Sequence, residues 1–414
     1  MNVVCANSVE SYKWSIHLRW IFAFVFFAIL FTFAGHRTWG GDAVEKDRKP
    51  RVLLFSGSDK DDPFWILFTD FMSVAADQLG FELKVHFADG SLNAMASLMR
   101  VECERKVKPA GIVIQSFKRG GPRFLRIANS YRIPVFLVNS GLTAEQSAIT
   151  GEPRTHLEHW IAEMLPDDYG AGFQLANALI DEARKDPAKI SADGRVHIIG
   201  LSGTVSHGAS VQRAAGLMDA IAAREDEAIL DQMVSADWKR GYAKNRCRIL
   251  HRRYPEASIV WAASDQMALG AAQAIRDRGF VPGKDVVIGG VDATREGLKA
   301  IEKGTLAATV GGHFQEGGWV AVILHDLVHG LDLEKIPTHF VSPMTLVTAE
   351  NMATYRAGLR AKQWKQIDFL QFSRLHQPES DNYRFRFDLG ENSAETSMPS
   401  IKESPPVEKP ARNE

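Results

Sequence analysis

The sequence has only three cysteines, Cys5, Cys103 and Cys247, in 414 residues. So few exclude a disulfide-built scaffold, and their spacing lacks the paired pattern of a structural zinc site. An excess of either charge is also missing. The 49 basic and 50 acidic side chains give a formal net charge of -1, without the basic footprint of a nucleic-acid binder. No HExxH, no GxSxG elbow and no Walker-type phosphate loop occurs, so the common local signatures of catalysis are absent. The expectation is a protein that is not an enzyme and carries no cofactor and no metal.

Long hydrophobic runs are equally scarce. The one that stands out, Trp20 to Ala34, is about 15 residues, against roughly 20 for a helix that crosses a bilayer. Lys13, His17 and Arg19 precede it, and Gly35, Gly40 and Gly41 lead out of it. That layout is a secretory signal over residues 1–41, cleaved near Ala34, with a retained membrane anchor as the alternative. No cysteine follows closely enough to take a lipid. Cleavage would remove Cys5 and leave Cys103 and Cys247 as the only possible disulfide pair.

What the sequence does contain is regular from Arg51 onward. At about 100–200 residues per domain, the length predicts two domains. Short apolar runs alternate with stretches of helical period. Strands are expected at Val52 to Phe55, Leu83 to Phe87, Gly111 to Gln115, Val135 to Val138, Val196 to Leu201, Ser258 to Ala262 and Val286 to Val291. Helices are expected at Phe64 to Leu79, Tyr169 to Lys185, Ser210 to Arg224, Met267 to Gly279 and Gln315 to His329. Repeated βα units imply an α/β, doubly wound parallel sheet, whose ligands lie beyond the carboxyl ends of its strands. The residues just after strands therefore carry the functional information. Residues 378–414 are a polar tail expected to be disordered, most strongly from Glu391, where Ser, Glu, Lys and Pro dominate.

After the first strand, polar residues give way to Asp62-Pro63-Phe64-Trp65. A sugar ring has apolar faces and a hydroxyl rim, so two aromatics beside a carboxylate suit it; ordinary core residues at a helix start would look the same. Three further stretches follow in order: Arg213-Ala214-Ala215-Gly216, Ser264-Asp265-Gln266-Met267-Ala268-Leu269-Gly270-Ala271, and Val287-Ile288-Gly289-Gly290-Val291-Asp292. Together these four stretches resemble the type I periplasmic binding proteins, in particular ribose and related sugar binders and autoinducer-2 receptors, over roughly residues 51–375.

The resemblance implies two doubly wound lobes joined by three hinge crossings near Asn139, Gly312 and Met344, with a ligand cleft between them. Lobe 1 would comprise 42–140 and 313–344, and lobe 2 would comprise 141–312 and 345–377. It implies that Asp62 and Arg213 bond ligand oxygens, that Phe64, Trp65 and Trp238 flank the ring, and that Asp292 grips adjacent hydroxyls. Ser264 stands where many sugar binders have Asn. Asp265 either touches ligand or caps the helix that follows it. Two departures tell against ribose itself: a cation, Lys118, follows the Gly111 to Gln115 strand, and the family's ligand-binding Gln falls on Gly312. His313, next to it, could replace that amide or could line the hinge without touching ligand. Segment 141–166 is longer than in compact sugar binders and has no sequence-level explanation.

The implied partners are a small polar ligand, most simply a sugar, and either the membrane permease of an ABC transporter or a membrane sensor such as a kinase or chemoreceptor. The protein would act in the periplasm as a monomer. Mass spectrometry of the exported chain is expected to place its amino terminus between Gly35 and Asp42; retention of Met1 in the membrane fraction would show an anchor instead.

Overall fold

The computed structural model describes residues 48–385. The apolar run Trp20 to Ala34, expected to be an export signal, Cys5 and the tail from residue 386 lie outside the described residues. Among those described, no helix is long and apolar enough to cross a membrane.

Two six-stranded sheets form the frame. The first contains β1 (Arg51–Ser56), β2 (Glu82–Phe87), β3 (Gly111–Ile114), β4 (Val135–Val138), β5 (Trp160–Pro166) and β11 (His339–Ser342), in the order β11-β5-β4-β3-β1-β2. The second contains β6 (Val196–Ser202), β7 (Ala228–Ser235), β8 (Ala257–Ala262), β9 (Val287–Asp292), β10 (Ala308–Gly311) and β12 (Thr345–Thr348), in the order β12-β10-β9-β8-β6-β7. All pairings are parallel except β10 with β12. In each sheet the strand order reverses once, between β1 and β3 and between β6 and β8. A crevice opens at such a reversal because the flanking helices leave to opposite faces.

The helices are α1 (Pro63–Gln78), α2 (Leu92–Glu104), α3 (Gly121–Ser130), α4 (Ala144–Thr150), α5 (Asp168–Arg184), α6 (Gly208–Ala222), α7 (Arg240–Arg253), α8 (Asp265–Asp277), α9 (Arg295–Glu302), α10 (Glu316–Val328), α11 (Met352–Gly358) and α12 (Ala361–Trp364). Every expected strand and helix has a counterpart. Strand β1 shows why its run is apolar throughout: Val52 and Leu54 join one core cluster, and Leu53 and Phe55 join another on the opposite face. The periodicity reading missed β5, β7, β10, β11 and β12. The last three have only four residues each, and β7 is half-buried along most of its length, which blurs its pattern.

Sheet membership moves the expected boundaries. Segment 141–166 was expected in the second lobe, yet it builds α4 and β5, and β5 pairs with β4 in the first sheet. The chain therefore leaves the first lobe after Pro166, not near Asn139. It returns after β10 at Gly312-His313 and crosses again at Pro343-Met344, close to the expected positions. From Ala361 the chain, also expected in the second lobe, packs on the first. Trp364 and Phe369 lie edge-on to Phe71 of α1, and Phe385 stacks on Trp319 of α10. Asp326 of α10 accepts hydrogen bonds from the Ser373 hydroxyl, the Arg374 backbone N–H (2.7 Å) and the Tyr383 hydroxyl (3.0 Å). Residues 378–385 are thus tied down, because their aromatic residues have a core to enter. Cys103 and Cys247 are buried free thiols on α2 and α7, in different lobes.

Close approach of α5 and α6 sets the next level of detail. A Cβ on Gly172 would collide with the Arg213 carbonyl, and one on Gly216 with the Tyr169 carbonyl. This contact brings Asp168, the first residue of α5, beside Arg213 of α6. Gly172→Ala is expected to destabilise the protein by about 1–3 kcal/mol, the usual cost of overpacking a close contact. Gly241→Ala, where a Cβ meets nothing, is the control; equal urea unfolding curves for the two variants would contradict this account of the helix contact.

Candidate functional site

Between the two sheets lies a cleft of about 740 Å³, and its walls are the loops after the strand ends, where the strand reversals place a crevice. From the first lobe come the loop after β1, Gln115, Phe117 and Lys118 after β3, and Asn139 after β4. The second lobe supplies Thr204 and His207 after β6, Asp237 and Trp238 after β7, Ser264 after β8 and Asp292 at the end of β9. Backbone strain concentrates here: Asp89, Lys118, Asn139, Asp237, Trp238 and Asp292 all line the cleft and all have positive φ. Such conformations are costly for non-glycine residues and persist where surrounding structure imposes them, often at binding sites.

Arg213 is the centre of charge and is only 3% exposed. Its Nε donates to Asp168 at 2.7 Å, and Nη1 donates to the Ala263 carbonyl at 2.7 Å and to Asp292 at 3.4 Å. His313 Nε2 lies 3.5 Å from Nη2, and the Trp238 ring is 5.7 Å from the guanidinium carbon. Burial pushes the carboxyls of Asp168 and Asp292 up while the guanidinium pulls them down, and burial wins for both, most strongly for Asp292. Burial and the same guanidinium hold His313 well below the ordinary imidazole value, so it is uncharged.

On the opposite wall, Asp62 Oδ1 caps α1, accepting from the backbone N–H groups of Phe64 (2.9 Å) and Trp65 (3.2 Å). Its second oxygen is not used by that cap. The Phe64 ring stacks on His313 at 4.4 Å and meets Trp65 edge-on at 5.5 Å. Lys118 reaches the Gly90 carbonyl at 2.9 Å, so its ammonium sits at the rim and not against the cleft floor. Across the mouth, Lys239 of the second lobe pairs with Asp59 of the first at 2.7 Å.

Asp62, Phe64, Trp65, Lys118, Arg213, Trp238, Ser264, Asp292 and His313 all line the cleft. Asp265 does not, and it is not the cap either. Ser264 is the N-cap of α8, accepting from Met267 N–H. The fully buried Asp265 carboxylate accepts from the Thr294 backbone (2.7 Å), the Thr294 hydroxyl (2.8 Å) and the Thr309 hydroxyl (2.6 Å). It therefore braces the loop that follows Asp292, and burial raises it to about 6 despite those bonds.

Several residues escaped the sequence reading. Gln115 and Asn139 could have been found by the strand-end rule, since each follows a first-lobe strand. His207, Asp168 and Glu316 had no local signal. Glu316, fully buried, accepts from the Asn139 backbone at 2.8 Å and from the Ser342 hydroxyl, joining the ends of β4 and β11 at the hinge.

Residues 53–330 match the periplasmic binding protein domain. The chain belongs to the periplasmic binding protein family. This family member is 28% identical to the ribose import binding protein of Escherichia coli (strain K12) over 275 residues, 66% of this chain and 81% of that protein. It is 25% identical to the xylitol-binding protein of Mycolicibacterium smegmatis over 292 residues, 69% of this chain and 76% of that one. Among solved structures, a periplasmic sugar-binding protein from Pseudomonas fluorescens superposes with a TM-score of 0.71 at 29% identity, covering 81% of this chain and 97% of that chain. The fold is therefore the two-lobed type I periplasmic binding protein fold.

Removing the guanidinium would leave two buried carboxylates uncompensated. Arg213→Met is expected to lower stability at pH 7.5 by about 3–5 kcal/mol, the range for breaking a buried ion pair. The sign with pH follows from the carboxyls: their folded values already lie above the ordinary one, so protonation at lower pH relieves the penalty. Urea unfolding at pH 7.5 and 5.5 should show a smaller difference between variant and wild type at the lower pH. A difference independent of pH would contradict this charge assignment.

Proposed function

We propose that this periplasmic binding protein captures a neutral polyhydroxylated molecule, a sugar or polyol, by closing its two lobes around it, and hands it to the permease of an ABC transporter. The observation that carries this reading is the composition of the cleft. Aromatic rings stand beside hydrogen-bonding side chains, and the buried cation is paired within the protein, while Lys118 at the rim bonds to the Gly90 carbonyl. Arg213 is matched by Asp168 and Asp292, Lys239 by Asp59, and Arg240 by Glu296. An anionic ligand would meet no unpaired buried cation, whereas hydroxyls find carboxylate and amide acceptors.

Asp62, Phe64, Trp65 and His313 would form the first-lobe half of the ligand site, with Arg213, Trp238, Ser264 and Asp292 as the second. Ligand bonded to both halves favours the closed arrangement over an open one, and the crossings at Pro166, Gly312 and Pro343 would bend. The relatives named for ribose, xylitol and sugar binding support this substrate class. So does the export layout of the sequence, which suits the periplasm.

Thermal-shift measurements on the purified protein test it with D-ribose, xylitol, D-allose and myo-inositol, and with D-ribose 5-phosphate as the anionic control. A true ligand at 100 times its Kd stabilises the folded state by about 2.7 kcal/mol and raises Tm. Chromatography should return that ligand chemically unchanged. If only the phosphate raises Tm, or none does, the neutral-ligand reading fails.

A further inference from the structure

One helix of the second lobe concentrates positive charge that the rest of the chain does not show. Helix α7 has six Lys or Arg side chains and no carboxylate in its 14 residues, in a protein whose formal net charge is -1. Its apolar side, Ala243, Cys247 and Leu250, is buried in the core. Arg246, Arg248 and Arg252 stand on the exposed side with Tyr242 and Ile249, which are 59% and 44% exposed. Arg240 is paired with Glu296 and Lys244 with Asp277, whereas these three arginines have no ion pair or hydrogen bond among the described residues. Helix stability does not explain them all. The helix dipole favours cations in the last turn, which accounts for Arg252 and Arg253. Arg246 and Arg248 lie earlier, and Lys244, Arg248 and Arg252 recur at four-residue spacing, where like charges repel.

The basic surface continues past the end of the helix. Phe280 meets His251 of α7 edge-on at 5.0 Å. With Val281 it lines a groove of about 400 Å³ whose walls also include Arg276, Lys284 and Lys303. Both apolar residues are exposed, and the three cations have no ion-pair partner among the described residues.

We propose that α7 and the adjoining groove dock an acidic segment of a partner protein, its carboxylates on the arginines and an apolar side chain against Phe280 and Val281. The planar fork of arginine matches a carboxylate, and Arg and Tyr are the residues enriched where proteins meet. A lipid bilayer fits less well, because an interfacial helix embeds its apolar side and that of α7 is already spent on the core. The helix also begins in the cleft wall. Arg240 lines the cleft, and Lys239, one residue before it, pairs across the mouth with Asp59 of the first lobe at 2.7 Å. A partner seated on α7 lies beside the seam that closes over the ligand. The proposal deepens the capture reading and rests on it only for the partner's role, which is to receive the ligand.

Fluorescence anisotropy tests this with a labelled peptide of glutamates interrupted by one leucine and one phenylalanine. It is titrated with wild type, with Arg246→Glu/Arg248→Glu, and with Lys362→Glu/Lys365→Glu, which makes the same change in net charge at exposed positions elsewhere. Wild type is expected to bind, more weakly as salt is raised. The α7 variant should bind about tenfold more weakly than wild type, and the control variant like wild type. No binding by wild type, or equal weakening in both variants, overturns the proposal. So does binding to phosphatidylglycerol vesicles that the α7 variant loses while its peptide affinity stays at the wild-type value. If the α7 variant does not fold, as judged by its melting curve, Arg246→Gln/Arg248→Gln takes its place with a loss in the same direction. None of the four substituted positions lines the cleft, so a neutral ligand that raises the Tm of wild type should raise that of each variant equally. Peptide binding by a wild type that responds to none of D-ribose, xylitol, D-allose and myo-inositol removes the capture reading and leaves the docking surface. A Tm shift without peptide binding does the reverse.

Discussion

A guanidinium that has been taken out of water must be surrounded by oxygen atoms, and Arg213 gathers them from three separate places in the chain. Asp168 comes from the start of α5, the Ala263 carbonyl from the end of β8, and Asp292 from the end of β9. Desolvating a charge costs several kcal/mol unless geometry and hydrogen bonds offset it. The second lobe can hold this arrangement only if α5 and α6 touch at Gly172 and Gly216 and if the loop after β9 is braced. The buried Asp265 supplies that brace through Thr294 and Thr309. A motif that reads as ligand contacts in sequence is therefore equally a set of supports for one ion.

The first lobe solves a different problem, which is how to anchor strands that end at a hinge. Glu316 holds the Asn139 backbone and the Ser342 hydroxyl from a site with no solvent access, and burial keeps its carboxyl well above the ordinary range. Asn139 in turn orients Gln115. The hinge and the cleft thus share hydrogen bonds, which tie the ends of β3 and β4 to Ser342, the residue just before the crossing at Pro343-Met344. Asp326 repeats the device farther along α10, fastening the segment that runs to Phe385.

Most of the fold was legible because parallel strands buried on both faces leave continuous apolar runs, and Val52 to Phe55 or Ser258 to Ala262 could hardly be anything else. Short edge strands such as β11 and β12 left no such trace. The path of segment 141–166 was illegible because its strand carries Glu163, and only pairing with β4 and β11 makes it part of the first sheet. Likewise, Tyr383 and Phe385 sit in a polar stretch whose composition suggests disorder. What orders them is a pocket formed by α10.

For the site, the sequence placed Asp62 and its two aromatics just after a strand, while Arg213, Ser264 and Asp292 were legible only through the resemblance to the type I periplasmic binding proteins. Strand periodicity locates the carboxyl ends and the reversal rule locates the crevice. Tertiary structure decided which side chains are spoken for. Asp265 turned inward to Thr294 and Thr309, Lys118 turned to the Gly90 carbonyl at the rim, and Asp168 arrived beside Arg213 from 45 positions away. The same folding put Gln115 opposite His207, 92 residues apart in sequence. Hydrogen bonds and desolvation act on atoms within a few ångströms of each other, and only the folded chain says which atoms those are.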